Sequence, residues 1–306
     1  MDKKQHPVLI LLAFLAIYII WGTTYVAILF GLEGFPPFLL SGMRFSIAGI
    51  LLLGWCLLKK QKFPTHKDLK ITIISGIVML VGGSGLVAWA EQYIASGHAA
   101  IITATEPFMF LLLDKKRRSF YFSQKGIIAG LILGFIGIII FFAFARNADQ
   151  KEITIHLKVA GMLVLFTSAL LWVIGSLYSK RKREVPVSNT ITTAIQLIAA
   201  GIFSLLLSFS TGEGNSFSFN EVSLKAWGGL FYLTLLGSVV AYLAFTWLLT
   251  VRPAAQVSTH TYVNPVIAIL TGWWIANEHI VLIQVLALGI ILAGVLLTNK
   301  STEHKI

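Results

Sequence analysis

The chain has 306 residues, 57% of them hydrophobic and only 12% charged, with a mean hydropathy of +0.83 and a net charge of +11. Soluble domains carry roughly twice that charged fraction, so the composition excludes a water-soluble globule and puts most of the chain in a bilayer. The long unbroken apolar runs exclude a membrane barrel, the basic residues fall in short connections rather than on a nucleic-acid-binding face, and the single cysteine, Cys56, excludes an internal disulfide and a cysteine metal cluster.

The start, Met1-Asp2-Lys3-Lys4 followed by apolar residues, resembles a signal peptide. The run from Val8 to about Gly31 is too long for one, and no small-residue cleavage site follows it, so we read it as a retained first span. It takes about 20 apolar residues to cross the hydrocarbon core. By that measure the first half holds spans over 8–31, 37–58, 69–89, 97–114 and 124–145. The second holds spans over 158–178, 189–209, 226–249, 254–275 and 280–298. The basic residues support this division. With the N-terminus in the cytoplasm, 19 of the 24 Lys and Arg fall on the cytoplasmic side and four on the other, which leaves only Arg44 inside a span. The expectation is an all-α membrane protein of ten transmembrane helices with both termini cytoplasmic.

The fourth span and its approach hold an unusual polar set: Glu91, Gln92, Gly97, His98, Thr103, Glu106 and Pro107. A similar layout returns in the ninth span, where Trp247, Thr261, Asn264 and Pro265 stand 158 residues after Trp89, Thr103, Glu106 and Pro107. At an offset of 151–152, Trp172 follows Trp21 and Gln196 follows Arg44. Five spans per half is an odd number, so the second copy has to insert upside down. The expected domains are therefore two inverted five-helix repeats, 8–145 and 158–298, with a site between them near the midplane. Glycines recur at helical spacing in the fifth and tenth spans, as close-packing helices require. The denser cluster of Gly82, Gly83 and Gly85 suggests a bend in the third.

Several motifs, in this order and spacing, resemble the EamA-type carriers of the drug/metabolite transporter superfamily. They are Trp21-Gly22-Thr23-Thr24-Tyr25, Pro36-Pro37, Arg44-Phe45, Ala90-Glu91-Gln92-Tyr93-Ile94, Ser96-Gly97-His98, Asn264-Pro265 and Asn277-Glu278-His279. The resemblance covers about 8–298. It implies a ten-helix inverted repeat in the cytoplasmic (inner) membrane that exports or exchanges amino acids and related small metabolites, with neither cofactor nor metal. Asn264 stands where many members of that family carry a glutamate.

Candidate residues follow from the cost of polarity in lipid. Arg44 lies about seven residues into its span, roughly 10 Å deep at 1.5 Å per residue, where a charge needs an interior partner. Glu106 lies at similar depth, and the repeat makes a neutral pair, Gln196 and Asn264, its counterpart. The Arg44–Glu106 pair either faces a central cavity or locks two helices together. Pro107 and Pro265, inside helices, free the carbonyls of Thr103 and Thr261 for a ligand or form static kinks. Glu91 is an interfacial acid, an outer gate or a partner for Arg44. His260 and His98 are packing residues or proton relays. Trp21, Tyr25, Trp172 and Tyr262 pack helices or line a cavity. Proton coupling is expected at Glu106 first. The partners expected are lipid and a small-molecule substrate. No phosphate-binding loop, His-Glu-x-x-His or Gly-x-Ser-x-Gly motif is present, which argues against a nucleotide-driven pump or an intramembrane enzyme.

Overall fold

The computed structural model describes residues 7–94, 99, 102–143, 155–180, 187–276 and 282–303. Among them are helices, turns and irregular connections but no strand. In chain order the helices are α1 (Pro7–Leu32), α2 (Pro37–Leu58), α3 (His66–Ala90), α4 (Glu106–Leu113), α5 (Arg118–Ser123) and α6 (Lys125–Ala143). They continue as α7 (Ile155–Ser179), α8 (Asn189–Ser210), α9 (Leu224–Val251), α10 (Ala254–Val257), α11 (His260–Ala276) and α12 (Leu282–Glu303). Six of these, α1, α2, α3, α7, α8 and α9, are long and apolar enough to cross a membrane, and α6 and α12 contain shorter apolar helices.

The helices begin where the sequence supplies acceptors for their free N–H groups. Thr65 caps α3 through the Asp68 N–H, Ser188 caps α8 through Thr190, and Ser223 caps α9 through Ala226. The start of α2 follows Pro36 and has no cap of its own. It is served from the other half: the Glu213 carboxylate accepts from the Phe38 and Leu39 N–H groups at 3.2 and 2.9 Å. The outward faces are apolar, as lipid requires, with Leu11, Leu12, Leu58, Leu206 and Leu296 all exposed.

Glycine decides which helices meet, because only a missing Cβ lets two backbones approach this closely. A Cβ on Gly49 would stand 2.8 Å from the Ile198 nitrogen, and one on Gly201 2.6 Å from the Ser46 nitrogen. These contacts seat α2 antiparallel against α8. A Cβ on Gly130 would stand 2.6 Å from the Gly294 oxygen, and one on Gly294 the same distance from the Gly130 oxygen, so α6 packs antiparallel on α12. Gly83 and Gly175 let α3 meet α7 at Trp172 and Met79, and Gly229 lets α9 meet α1 at Ala27 and Gly31. Like helices thus pair with each other across the halves, and the third of each half packs on the first of the other, as a two-fold relation between halves produces.

Three stretches are wound as π-helix: Ala16–Ile20 in α1, Ile77–Gly85 in α3 and Leu233–Ala241 in α9. The second and third have the same length and the same place in their halves. The Gly82, Gly83 and Gly85 cluster lies within the second of these widened stretches. Gly82 packs against Leu171 and Gly83 against Trp172, while Gly85 has room for a Cβ.

Two expected spans differ in form. Before α4 the chain makes a turn at Ala104–Thr105, so Pro107 lies in the first turn of α4, where its missing N–H costs nothing, and not inside a helix. In the second half a turn at Ser258–Thr259 separates α10 from α11, and Pro265 does lie inside α11. His98 and Asn277-Glu278-His279 fall outside the described residues.

The end of the bundle that carries Lys59, Arg117, Lys180 and Arg252 is tied across elements. Lys180 Nζ donates to the Arg252 carbonyl at 3.1 Å, and Tyr121 donates to Asp114 Oδ2 at 3.0 Å. Burial, helped by the nearby Arg117 charge and opposed by Asp114, lowers the Lys180 amine to about 8. Burial beside the Asp114 carboxylate raises the Tyr121 phenol.

Candidate functional site

A cavity of about 110 Å³ lies between the two halves. The first half lines it with Trp21, Thr24, Tyr25 and Ile28 of α1, Arg44 and Phe45 of α2, Leu80, Gly83, Ser84 and Val87 of α3, and Thr103 and Glu106 at the entry to α4. The second half supplies Ser168 and Trp172 of α7, Gly237, Ser238 and Tyr242 of α9, and His260, Thr261 and Asn264 of α11.

Two of the π-helical stretches, in α3 and α9, line this cavity, and the one in α1 ends just before its lining residue Trp21. A π turn breaks the regular i→i−4 ladder and leaves carbonyls for side chains to take. Ser238 donates to the Leu233 carbonyl, five residues back, at 3.0 Å. Trp21 Nε1 donates to the Gly237 carbonyl at 3.2 Å, across the halves, and Ser168 donates to the Gly83 carbonyl at 2.7 Å. Asn264 serves the stretch in α1. In the amide orientation that satisfies its surroundings, its Nδ2 donates to the Ile17 and Tyr18 carbonyls at 3.1 Å each and to the His260 carbonyl at 2.9 Å, while its Oδ1 accepts from His260 Nδ1 at 3.2 Å.

One wall is aromatic. The Trp21 ring centroid lies 5.5 Å from Trp172, 5.1 Å from Phe245 and 4.8 Å from His260, the first and last edge-on. Trp172 stands 5.1 Å from Phe245 and 6.3 Å from Tyr242. Such tilted and edge-on contacts hold the rings rigidly. The other wall carries charge. Arg44 donates from Nη2 to Ser84 Oγ at 2.6 Å and lies over the Phe45 ring at 4.3 Å. The Tyr25 hydroxyl is 3.5 Å from Thr103 Oγ1.

Arg44 and Glu106 line the same cavity but form no ion pair with each other. Glu91 is buried just past the end of α3 and does not line the cavity. Neither carboxylate bonds the guanidinium, whose Nη2 instead donates to Ser84 of the π-helical turn. Both Glu91 oxygens are buried without a hydrogen-bond partner. Four cavity-lining side chains share that condition at one atom each: Arg44 Nε, Glu106 Oε2, Trp172 Nε1 and His260 Nε2. Buried polar atoms are normally satisfied, so four orphans around one cavity are a cluster to be explained.

Two expected residues lie elsewhere. Gln196 is fully buried between helices, where its amide donates to Ser75 Oγ at 2.9 Å and Ser179 Oγ at 3.2 Å and accepts from Tyr242 at 3.0 Å. It is a packing hub, so no Gln196–Asn264 amide pair forms. Tyr262 is fully buried against Gly134 of α6 and donates to the Leu131 carbonyl at 3.2 Å. It faces away from the cavity, because neighbouring residues on a helix point about 100° apart and His260, Thr261 and Asn264 take the inner face. Thr261 donates back to the Ser258 carbonyl at 2.9 Å, which closes the turn ahead of α11.

Sequence reading missed Ser84, Ser168, Ser238 and Tyr242 as lining residues. One signal was present: a Gly-Ser pair recurs at Gly83-Ser84 and Gly237-Ser238, in the third span of each half, and both pairs border the cavity.

The EamA-like transporter family matches the chain twice, over residues 8–143 and 159–300. The uncharacterized inner membrane transporter YedA of Escherichia coli K12 is 33% identical over 94% of this chain and 89% of its own length. The uncharacterized transporter YoaV of Bacillus subtilis 168 is 25% identical over 97% of this chain and 98% of its own. A solved crystal structure superposes with a TM-score of 0.74 over 96% of this chain and 97% of that one, at 17% identity, a likeness of fold alone.

Proposed function

The chain belongs to the EamA-like transporter family and is an integral membrane protein, and on that premise we propose that it is a secondary carrier of the inner membrane that moves a small metabolite by alternating access between two inverted halves. The observation that carries this reading is the central cavity, lined by both halves and bordered by four buried polar atoms without protein partners. A lipid-facing or purely packing surface has no use for such atoms, whereas a polar ligand satisfies them and is released when the halves exchange faces.

The substrate class we assign is amino acids and related compounds, exported or exchanged. Arg44 offers donors to an acid group and Glu106 an acceptor to an amine, and both line the cavity. Glu106 is also the place for proton coupling, since its carboxylate is buried at the cavity and unpaired. The antiparallel pairing of like helices across the halves supports the inverted arrangement; ten spans with both termini cytoplasmic are part of the same proposal, carried by the basic-residue distribution. The test is counterflow in proteoliposomes preloaded with unlabelled amino acids, with labelled ones outside. Transient accumulation of one label, lost in Glu106→Gln, is the expected result. Flux that follows the gradient with no counterflow would make the protein a channel and overturn the carrier reading.

A further inference from the structure

We propose that His260 is the hydrogen-bond acceptor that selects the ligand of this cavity, held by Asn264 so that its Nε2 lone pair takes an uncharged N–H or O–H on the edge of a flat ring. The inference rests on the reading of the cavity as the substrate site and deepens it.

Three observations carry it. First, the tautomer is set by Asn264. Its Nδ2 is committed to three carbonyls, at Ile17, Tyr18 and His260, so only its Oδ1 is left to face the imidazole, and an oxygen accepts only from a protonated Nδ1. A neutral ring with its proton on Nδ1 has a bare lone pair on Nε2. Asn264 is thus a positioning residue, and two of its anchors are carbonyls of the π-helical turn in α1. Second, Nε2 is buried and has no partner in the protein, on a residue that is only 4% exposed and lines the cavity. Third, His260 is set among rings, with Trp21 at 4.8 Å and Phe245 at 5.6 Å, both edge-on. Trp172 lies against both of those rings and brings its own unpartnered Nε1 donor to the lining.

The chemistry of the ligand follows. A flat apolar body suits the aromatic wall. A cationic donor is served better by the Glu106 carboxylate, which also lines the cavity, and that leaves the neutral imidazole for a neutral donor such as a phenol or a ring N–H. A site built to bond a donor rejects the analogue that lacks it, because the buried acceptor is then left empty.

Phenol and anisole, which differ by one methyl group on the donor oxygen, test this on the full chain in lipid nanodiscs labelled with 15N-histidine. The chain has seven histidines, and the His260 signals are those missing from His260→Gln. The expected spectrum has Nδ1 protonated and Nε2 bare. Phenol should move the Nε2 signal saturably and bind about fivefold more tightly than anisole, the worth of one neutral hydrogen bond. In His260→Phe, which keeps the aromatic wall, the two probes should bind equally. A proton found on Nε2, or an equal Nε2 response to both probes, overturns the proposal. Counterflow in the same preparation separates the two readings. Counterflow without phenol selectivity defeats this inference alone, and phenol selectivity without counterflow defeats the carrier reading alone.

Discussion

The two halves enter the cavity through matching helices that end differently. In the first half the chain turns at Ala104–Thr105 and starts α4 with Glu106-Pro107, an acid with a buried oxygen that nothing in the protein bonds. In the second half the turn comes four residues earlier relative to the proline, and Asn264 sits inside α11 with every polar atom engaged. The first half also brings Arg44 and the buried Glu91, while its repeat partner Gln196 is spent on Ser75, Ser179 and Tyr242. At these positions one copy holds a buried acid that the protein leaves unbonded and the other holds amides bonded internally. The lesson is that repeat-related positions can divide labour, while the second half brings its own unpartnered Trp172 Nε1 and His260 Nε2 to the cavity.

The sharpest way to break this contrast is to write the acid into the scaffold half. Asn264→Asp removes the donor to three carbonyls and sets a carboxylate against their oxygens. It should cost about 3 kcal/mol or more, seen as a large fall in apparent melting temperature in detergent. An unchanged melting temperature would mean that the amide does not hold α11 to α1. Next in size is the packing between like helices. Gly130→Ala drives a methyl into the Gly294 carbonyl and the Thr298 nitrogen and should destabilise by about 1–3 kcal/mol. The converse substitution in the charged half, Glu106→Gln, removes a buried unpaired carboxylate. It should leave the melting temperature unchanged or raised while counterflow falls at least tenfold. A melting temperature that falls together with flux would instead make Glu106 a structural acid.

Two smaller effects sharpen the picture. The Lys180 amine is lowered in the folded protein to about 8, against its ordinary 10.5. Between those values the unfolded chain binds the extra proton, so stability should rise as pH goes from about 8 toward 10.5. Lys180→Met should flatten that rise, as melting curves across this pH range would show. Last, Gly54 meets nothing within 4 Å, so Gly54→Ala in α2 should be neutral or stabilising by about 0.5–1 kcal/mol. That isolates close approach as the cause of the Gly130 loss.

Much of this could be read in the chain itself. Long apolar runs state a membrane protein, because hydropathy is local and each span has to satisfy its own backbone in lipid. Internal repetition pointed to Trp21, Arg44, Thr103, Glu106, Trp172, Thr261 and Asn264, which line the cavity, and to Gln196, which does not. Arg44 was legible as a costly polar group, but not its partner Ser84, which accepts from the guanidinium, nor the burial of Glu91, read as an interfacial acid.

What the sequence determined by itself, then, is the membrane class, the division into two copies and the polar residues that need an interior. Each rests on composition and spacing along the chain. Only the tertiary structure decided which of those residues share the cavity. That depends on the rotation of each helix about its axis, and here glycine contacts and π-helical turns set the rotation. Each extra residue in a turn swings all that follow onto a new face. So Tyr242 and Ser238 came to the cavity, Gln196 and Tyr262 went to the helix interfaces, and Pro107 became the start of a helix instead of its kink.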